Sequence, residues 1–321
     1  MWQPSQSSQS SVKETYVFNV DKPHNLLEIH AELMKEALRR DEELLYLLYS
    51  PICQEKRGPF GLHGTPSSHA VAVTSGRFVI SENQHRKGIA PTVQSIPFCQ
   101  VLYVELGTAL PLGWFSIEFV VEDKPCCATL FFPATTGLKH FGSAVSEYRR
   151  MTRPSHDLLS SNMMGWADIW RHTPKTLVDH FEPVILKDEL PFNLLQSSER
   201  WITRKMRRKI IPTCVSTNDI FVSTNFGFIY GTEDKSRDKS RDKSSKVGIN
   251  VSCIPVGSVK SARIVEKRIY GSHLFVFKEE ITRGGVAVEF DMPFDDSRIM
   301  DAEALVYLLT EDMRGDEVCI S

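Results

Sequence analysis

The residues of this chain that could do chemistry are ten histidines and seven cysteines, and none of them falls in a familiar catalytic motif. The sequence has no GxSxG, P-loop, GxGxxG or HExxH string, and no histidine is spaced from another histidine or cysteine as a pair of metal ligands would be. We therefore predict no enzymatic activity, no cofactor and no metal site. A cysteine–histidine pair assembled from distant segments remains an open route to an enzyme.

Individual histidines and cysteines fit structural roles. His69 and His140 lie beside apolar segments, where we expect ordinary surface or core histidines. Cys99, Cys214 and Cys253 lie in predicted strands and are expected to be small buried apolar residues.

The clearest charged feature is a basic cluster in the second half of the chain, made of Arg204, Lys205, Arg207, Arg208 and Lys209. Clustered Lys and Arg neutralise phosphate groups, so the basic cluster is our candidate site for an anion or a partner. The same charges could instead protect an exposed edge strand against self-pairing, and both interpretations stay open. In one continuous strand, Lys205, Arg207 and Lys209 would share a face opposite Met206. The first half carries only Lys56 and Arg57 in the corresponding loop.

Composition excludes some classes of partner. Hydrophobic residues make up 41% of the 321 residues and charged residues 24%, enough apolar material for two cores. The net charge is −2, so no overall field attracts nucleic acid, and we expect no nucleic-acid partner.

Cysteine usage and hydropathy predict the compartment. The seven cysteines are scattered and odd in number, which indicates reduced thiols rather than a disulfide framework. No apolar run approaches the roughly 18 residues that a membrane-spanning helix needs. We predict a cytoplasmic protein, or one peripheral to a membrane if the basic cluster binds lipid.

Periodicity and composition divide the chain into five parts. They are a disordered tail (1–22), an N-terminal helix with a first domain (23–151), a helical linker (152–189), a second domain (190–314) with a flexible insertion (234–246), and a C-terminal tail (315–321).

The two strand-rich parts can be aligned, which predicts an internal duplication. Residues 70–79 match residues 213–222 as strand, polar turn and strand. Two further landmarks follow in the same order, and each copy ends in an amphipathic helix, predicted near 137–151 and 297–313. These landmarks are Ile96-Pro97 with Ile254-Pro255, and Phe132-Pro133 with Met292-Pro293.

These strings resemble the pleckstrin-homology-like (PH-like) modules of bacterial and GRAM-type proteins. The strings are an acidic and hydrophobic opening (Glu42-Glu43-Leu44-Leu45), a threonine–arginine hairpin (Thr74-Ser75-Gly76-Arg77) and an isoleucine–proline strand (Ser95-Ile96-Pro97). The second copy has Ile220 in place of the hairpin arginine. The resemblance implies a mixed β+α fold of two PH-like domains joined by a helical linker. Each domain would be a bent antiparallel sheet or barrel of about seven strands closed by a C-terminal helix.

The resulting functional hypothesis is a non-catalytic scaffold or binding module. It would recognise a protein partner or peptide, for example by adding a strand to an open sheet edge. One alternative is peripheral membrane or phosphoinositide binding through the basic cluster, as the PH resemblance implies, and a second is an unrecognised enzyme. The sequence leaves the oligomeric state open.

Overall fold

The structure is a computed structural model. It describes residues 18–53, 56–57, 62–63, 67–85, 88–109, 112–153, 164–206, 209–234, 248–255, 258–269, 272–283, 286–294 and 296–315. The predicted insertion lies outside these residues except for Asp234, as do most of the two predicted tails.

The first half of the chain consists of strands and two helices. Its strands are β1 (Phe18–Asn19), β2 (Leu44–Cys53), β3 (Lys56–Arg57), β4 (Leu62–His63), β5 (Ser67–Thr74), β6 (Arg77–Gln84), β7 (Thr92–Pro97), β8 (Val101–Ala109), β9 (Leu112–Val121) and β10 (Lys124–Pro133). Its helices are α1 (Glu28–Ala37) and α2 (Ala134–Met151).

Two short helices connect this half to the second half. They are α3 (Trp166–Trp170) and α4 (Lys175–Phe181). The strands that follow are β11 (Pro191–Ser197), β12 (Arg200–Met206), β13 (Lys209–Ser216), β14 (Asn218–Thr224), β15 (Gly227–Asp234), β16 (Gly248–Ile254), β17 (Val259–Ile269), β18 (Ser272–Arg283) and β19 (Val286–Phe294). The last element is helix α5 (Ile299–Gly315).

The strands pair antiparallel throughout the described part of the chain. A five-stranded first sheet has the order β1-β2-β5-β6-β7, and a seven-stranded long sheet has the order β10-β9-β8-β16-β15-β14-β11. Strands β17, β18 and β19 form a third sheet, and β3-β4 and β12-β13 are separate hairpins. The mixed β+α class is confirmed, and none of these described sheets closes into a barrel.

The element order of the first half recurs in the second. In each half, a helix precedes a first strand, a separate two-stranded hairpin, six further strands and a final helix. We call the seven strands outside the hairpin the main strands and number them in chain order. They are β2 and β5 to β10 in the first half, and β11 and β14 to β19 in the second. Helix α1 contacts β6 and β7, and α4 contacts β15 and β16, so each preceding helix covers the same pair of strands. A β-bulge also lies at the start of both β8 and β17.

Both final helices pack an apolar stripe into the sheets, as their periodicity predicts. In α2 the stripe contains Phe141, Val145 and Tyr148, all buried. This helix begins directly after Pro133. In α5, Ala302 and Leu305 are fully buried.

The buried apolar residues of the described chain form three clusters. The largest joins the first-half core to α3, α4 and the adjoining face of β14, β15 and β16, so it crosses from one half to the other. A second cluster fills the second half and also includes Leu102 of β8 and Val120 of β9, and a third lies beneath α1. Because Val20 packs into this third cluster and Phe18–Asn19 pair with β2, the predicted disorder of 1–22 is wrong for these residues. In the described part of the chain, no helix is both long and apolar enough to cross a bilayer.

Candidate functional site

The hairpin between β5 and β6 is fixed by its own side chains. The backbone N–H groups of Gly76 and Arg77 donate to Thr74 Oγ1 over 3.3 and 3.2 Å, and the Thr74 hydroxyl donates to Arg77 O over 3.1 Å. Ser75 N donates to Glu43 O over 3.0 Å. The turn predicted at Ser75-Gly76 is confirmed, and its threonine satisfies turn amides that the sheet leaves unpaired.

Two charged residues of the strings that resemble PH-like modules, Glu42 and Arg77, pair with each other. Arg77 donates through Nε and Nη2 to the carboxylate of Glu42, with a shortest distance of 2.6 Å. Its other nitrogen donates to Ser95 Oγ on β7 over 2.8 Å, and Nη2 also donates to Ala37 O at the end of α1. Arg77 therefore ties β7 to the strand beside it and to the helix that covers it.

The hairpin between β14 and β15 repeats this hydrogen-bond pattern. Phe226 N donates to Thr224 Oγ1 over 3.1 Å, and the Thr224 hydroxyl lies 3.0 Å from Gly227 O. Asn225 N donates to Leu190 O over 3.2 Å, as Ser75 N does to Glu43 O. Residues at the same place in the two patterns are called counterparts below.

The alignment of residues 70–79 with residues 213–222 is therefore one strand out of register. Residues 213–216 belong to β13, in the separate hairpin, and the counterpart of Thr74 is Thr224 rather than Thr217. The counterpart of Arg77 is accordingly Gly227, not Ile220. The isoleucine–proline landmarks agree with the structure, because Ile96 and Ile254 both lie at the end of the fourth main strand.

The acidic residue before β11 also pairs with an arginine, but this arginine comes from the first half of the chain. Glu189 precedes β11 by two residues, as Glu42 precedes β2, and its carboxylate forms a bidentate ion pair with Arg149 of α2. Leu186 N and the Thr224 hydroxyl also contact this carboxylate, at 2.9 and 2.6 Å. Gly227 has φ +126°, a conformation that an arginine rarely adopts.

The edges of the sheets differ in what covers them. In the second half, the fourth main strand, β16, does not end its sheet, because β8 of the first half pairs with it antiparallel. The register places Val104 opposite Cys253, Leu106 opposite Val251 and Thr108 opposite Ile249. A strand of one half therefore extends the sheet of the other.

The counterpart of β16 in the first half is β7, and it is an open edge. Within the described part of the chain, β7 pairs only with β6. It contains no charged residue, four of its six residues are exposed, and Val93 is 42% exposed. Natural edge strands are usually guarded by charge, proline or bulges, and β7 has only Pro97 at its end.

Another sheet edge, β17, is charged. Strand β17, the counterpart of β8, pairs only with β18 among the described residues and carries exposed Lys260 and Arg263. These residues contact Glu280 and Glu289 respectively. The two strands that already join the halves, β8 and β16, contain a single charged residue, Glu105.

A histidine–serine network that sequence reasoning missed lies beneath α1. His30 is fully buried, with Nδ1 2.7 Å from Ser81 Oγ and Nε2 3.0 Å from Ser68 Oγ. Ser68 Oγ also lies 3.0 Å from Nε2 of His85, which is exposed. Burial, with smaller contributions from His69 and His85, lowers the pKa of His30 to about 4. His30 lies in the apolar stripe of α1, and this position in the sequence pattern could have predicted that it is buried.

The buried serines of this network and the buried Cys253 are poorly placed for catalysis. Ser68 is 1% exposed and Ser81 is fully buried, so neither hydroxyl can reach a substrate in this conformation. Burial raises the pKa of the Cys253 thiol to about 12, which removes its nucleophilicity near neutral pH. Among the described residues, no three His, Cys, Asp or Glu side chains are arranged to hold a metal ion.

The other histidines and cysteines singled out from the sequence vary in environment. His69 is buried, with Nε2 3.3 Å from Ser67 Oγ, and His140 lies 3.3 Å from the hydroxyl of Tyr46. Cys253 is buried as predicted, whereas Cys99 is exposed because it lies in a turn rather than a strand.

The basic cluster is divided between the two strands of a separate hairpin. Arg204 and Lys205 lie in β12 and Lys209 begins β13, whereas Arg207 and Arg208 lie outside the described residues. Lys209 pairs with Met206, and Lys205 pairs with Ile210. The prediction that Lys205, Arg207 and Lys209 share a face assumed one continuous strand, and the antiparallel pairing of Met206 with Lys209 does not fit that assumption.

Comparison with known proteins adds no family. No protein-family model matches this chain, and no curated protein is significantly similar to it in sequence.

Proposed function

We propose that this protein is a non-catalytic binding module, built from two copies of a PH-like domain, that recognises a protein segment by strand addition at β7. The observation that carries the proposal is the pairing of β8 with β16. It gives the counterpart of β7 a bound antiparallel strand, while β7 itself keeps an exposed and uncharged edge. Strand addition satisfies the free backbone groups of such an edge and selects partners through alternate side chains.

The duplication and the PH-like architecture are supported by the recurrence of element order, bulge position and hairpin hydrogen bonds. The seven strands and closing helix of each copy fit the arrangement that the resemblance implies, which is about seven strands closed by a C-terminal helix. On this interpretation, the first copy spans 23–151 and the second 190–314. The segment between them includes α3 and α4.

Peptide selection tests this function directly. Phage-displayed peptides selected on the wild-type protein should bind at β7 and slow amide hydrogen exchange of its backbone. Replacing Val93 with Lys places a charge on the edge, and we expect selected peptides to bind at least about tenfold more weakly. The measurement is the dissociation constant of fluorescently labelled peptides.

Val121→Lys is the matched control, since Val121 is 40% exposed at the end of β9, a strand that does not pair with β7. Its peptide affinities should equal those of the wild type. Selected peptides that bind the Val93→Lys variant with unchanged affinity, or a selection that returns none, would contradict strand addition at β7.

The second candidate function is binding of anionic lipid by the basic cluster. It is favoured by the hairpin that carries Arg204, Lys205 and Lys209, because its strands pair only with each other among the described residues. Each charge near an anionic bilayer contributes roughly 1 kcal/mol, so serine at all five basic positions should abolish pelleting with phosphatidylserine liposomes at low salt. Wild-type protein that ignores these liposomes excludes this candidate.

A further inference from the structure

The counterpart relation extends beyond the hairpins to the strands that join the two halves. Pro97 and Pro255 are counterparts, and Val101 and Val259 follow them by the same interval at the start of β8 and β17. The β-bulges after these valines also coincide, between Val101 and Tyr103 and between Val259 and Ser261. Strand β17 is therefore related to the second half as β8 is related to the first.

The chain contains one strand pairing between its halves, and the counterparts of the two paired strands are themselves not paired with each other among the described residues. The fifth main strand of the first half, β8, pairs with the fourth main strand of the second, β16. The fifth main strand of the second half and the fourth of the first, β17 and β7, are both sheet edges among the described residues.

We propose that a second copy of this chain supplies the strand at β7, through its β17, by repeating the β8–β16 contact between molecules. This inference rests on the proposed function, because it names the occupant of the same edge. The contact joins unlike surfaces, so it leaves a free β7 on one molecule and a free β17 on the other. Such contacts build chains or close into rings.

The intramolecular contact fixes the register of this pairing. Within the chain, Cys253 lies opposite Val104, so the corresponding pair between molecules is Ser95 with Ala262 of the second copy. Likewise, Val251 lies opposite Leu106, so Val93 would lie opposite Ile264 of the second copy. The exposed Val93 thus gains an apolar partner, as Val251 has in the chain.

The remaining central pair is polar in both contacts. Ser252 opposite Glu105 becomes Gln94 opposite Arg263 of the second copy. The side chain of Arg263 is exposed on the edge, and its guanidinium lies 3.1 Å from the carboxylate of Glu289 on the same sheet. A charged β17 would repel another β17, whereas the uncharged β7 presents no like charge to it.

Sedimentation of three proteins tests the register. Wild-type protein should show a weight-average mass that rises with concentration, with a dissociation constant of about 10–100 μM because a single edge contact is small. Gln94→Glu faces Arg263 with the opposite charge and should strengthen association about two- to fivefold, whereas Gln94→Arg should weaken it by a similar factor.

A two-fold pairing of β7 with β7 predicts a different pattern, because Gln94 would then lie beside its own copy. Both charged variants would weaken such a dimer, and that result would overturn the β17 assignment. Mixing Gln94→Cys protein with Arg263→Cys protein should give a mixed disulfide that neither variant forms alone, with the wild type as control for the native cysteines.

Failure of this inference and failure of the proposed function can be told apart. The β17 occupant is overturned if the wild-type protein stays monomeric up to about 500 μM and the mixed Gln94→Cys and Arg263→Cys variants form no disulfide. If selected peptides still bind that protein at β7, the binding function stands with another partner.

Discussion

Replacing Glu189 with Gln should lower the free energy of unfolding by about 3–5 kcal/mol, because it leaves the buried guanidinium of Arg149 without its countercharge. The side chain of Glu189 is 0% exposed and that of Arg149 is 4% exposed, so water cannot replace the lost interaction. Arg149 also donates to Val184 O over 2.7 Å, and this bond alone does not neutralise a full charge. The measurement is urea unfolding followed by far-UV circular dichroism.

Glu42→Gln is the matched control, because Glu42 is the counterpart of Glu189 and pairs with Arg77. This pair is more accessible to water, with side chains 14% and 9% exposed, so its loss should cost clearly less. Replacing Arg149 with Met together with Glu189 with Leu removes both charges and should cost less than the two single changes added together. A Glu189→Gln variant no less stable than Glu42→Gln would contradict this account of the junction between the halves.

The local parts of the fold could be predicted from the sequence. The turn at Ser75-Gly76 and the stripe of α2 depend on neighbouring residues, whose periods of 2 and 3.6 are visible in one chain. The alignment of the repeat failed at β13, because any strand–turn–strand segment has the same local pattern. The inserted hairpin supplied a second match next to the correct one.

The candidate site could not be predicted, because it depends on which strands become edges. The pairing of β8 with β16 joins segments far apart in the chain, and no local pattern reveals it. The same is true of Arg149, which pairs with Glu189 only because α2 ends beside it. The basic cluster, by contrast, was conspicuous as a sequence pattern, yet Met206 and Lys209 pair with each other on two antiparallel strands rather than following one another along a single strand.

Lowering the pH from 7 to 4.5 should remove about 2 kcal/mol of stability through His30 alone. Its pKa is lowered from 6.5 to about 4 in the folded protein, mainly by burial. Above pH 6.5 the imidazole is neutral in both states, so this contribution is fully present. Between pH 6.5 and 4 the unfolded chain binds a proton that the folded protein does not, and stability falls. His180, whose pKa burial also lowers, adds a loss of the same sign.

The His30→Gln variant isolates this effect, because the change in stability between pH 7 and 4.5 is compared rather than stability at one pH. We expect the variant to lose about 2 kcal/mol less than the wild type over this interval, even if glutamine packs less well beneath α1. His24→Gln is the control, since His24 is exposed just before α1, and it should retain the wild-type pH dependence. Urea midpoints measured at both pH values decide the outcome. Equal losses in His30→Gln and the wild type would show that α1 accommodates the charged imidazole, with Ser68 and Ser81 both accepting from it.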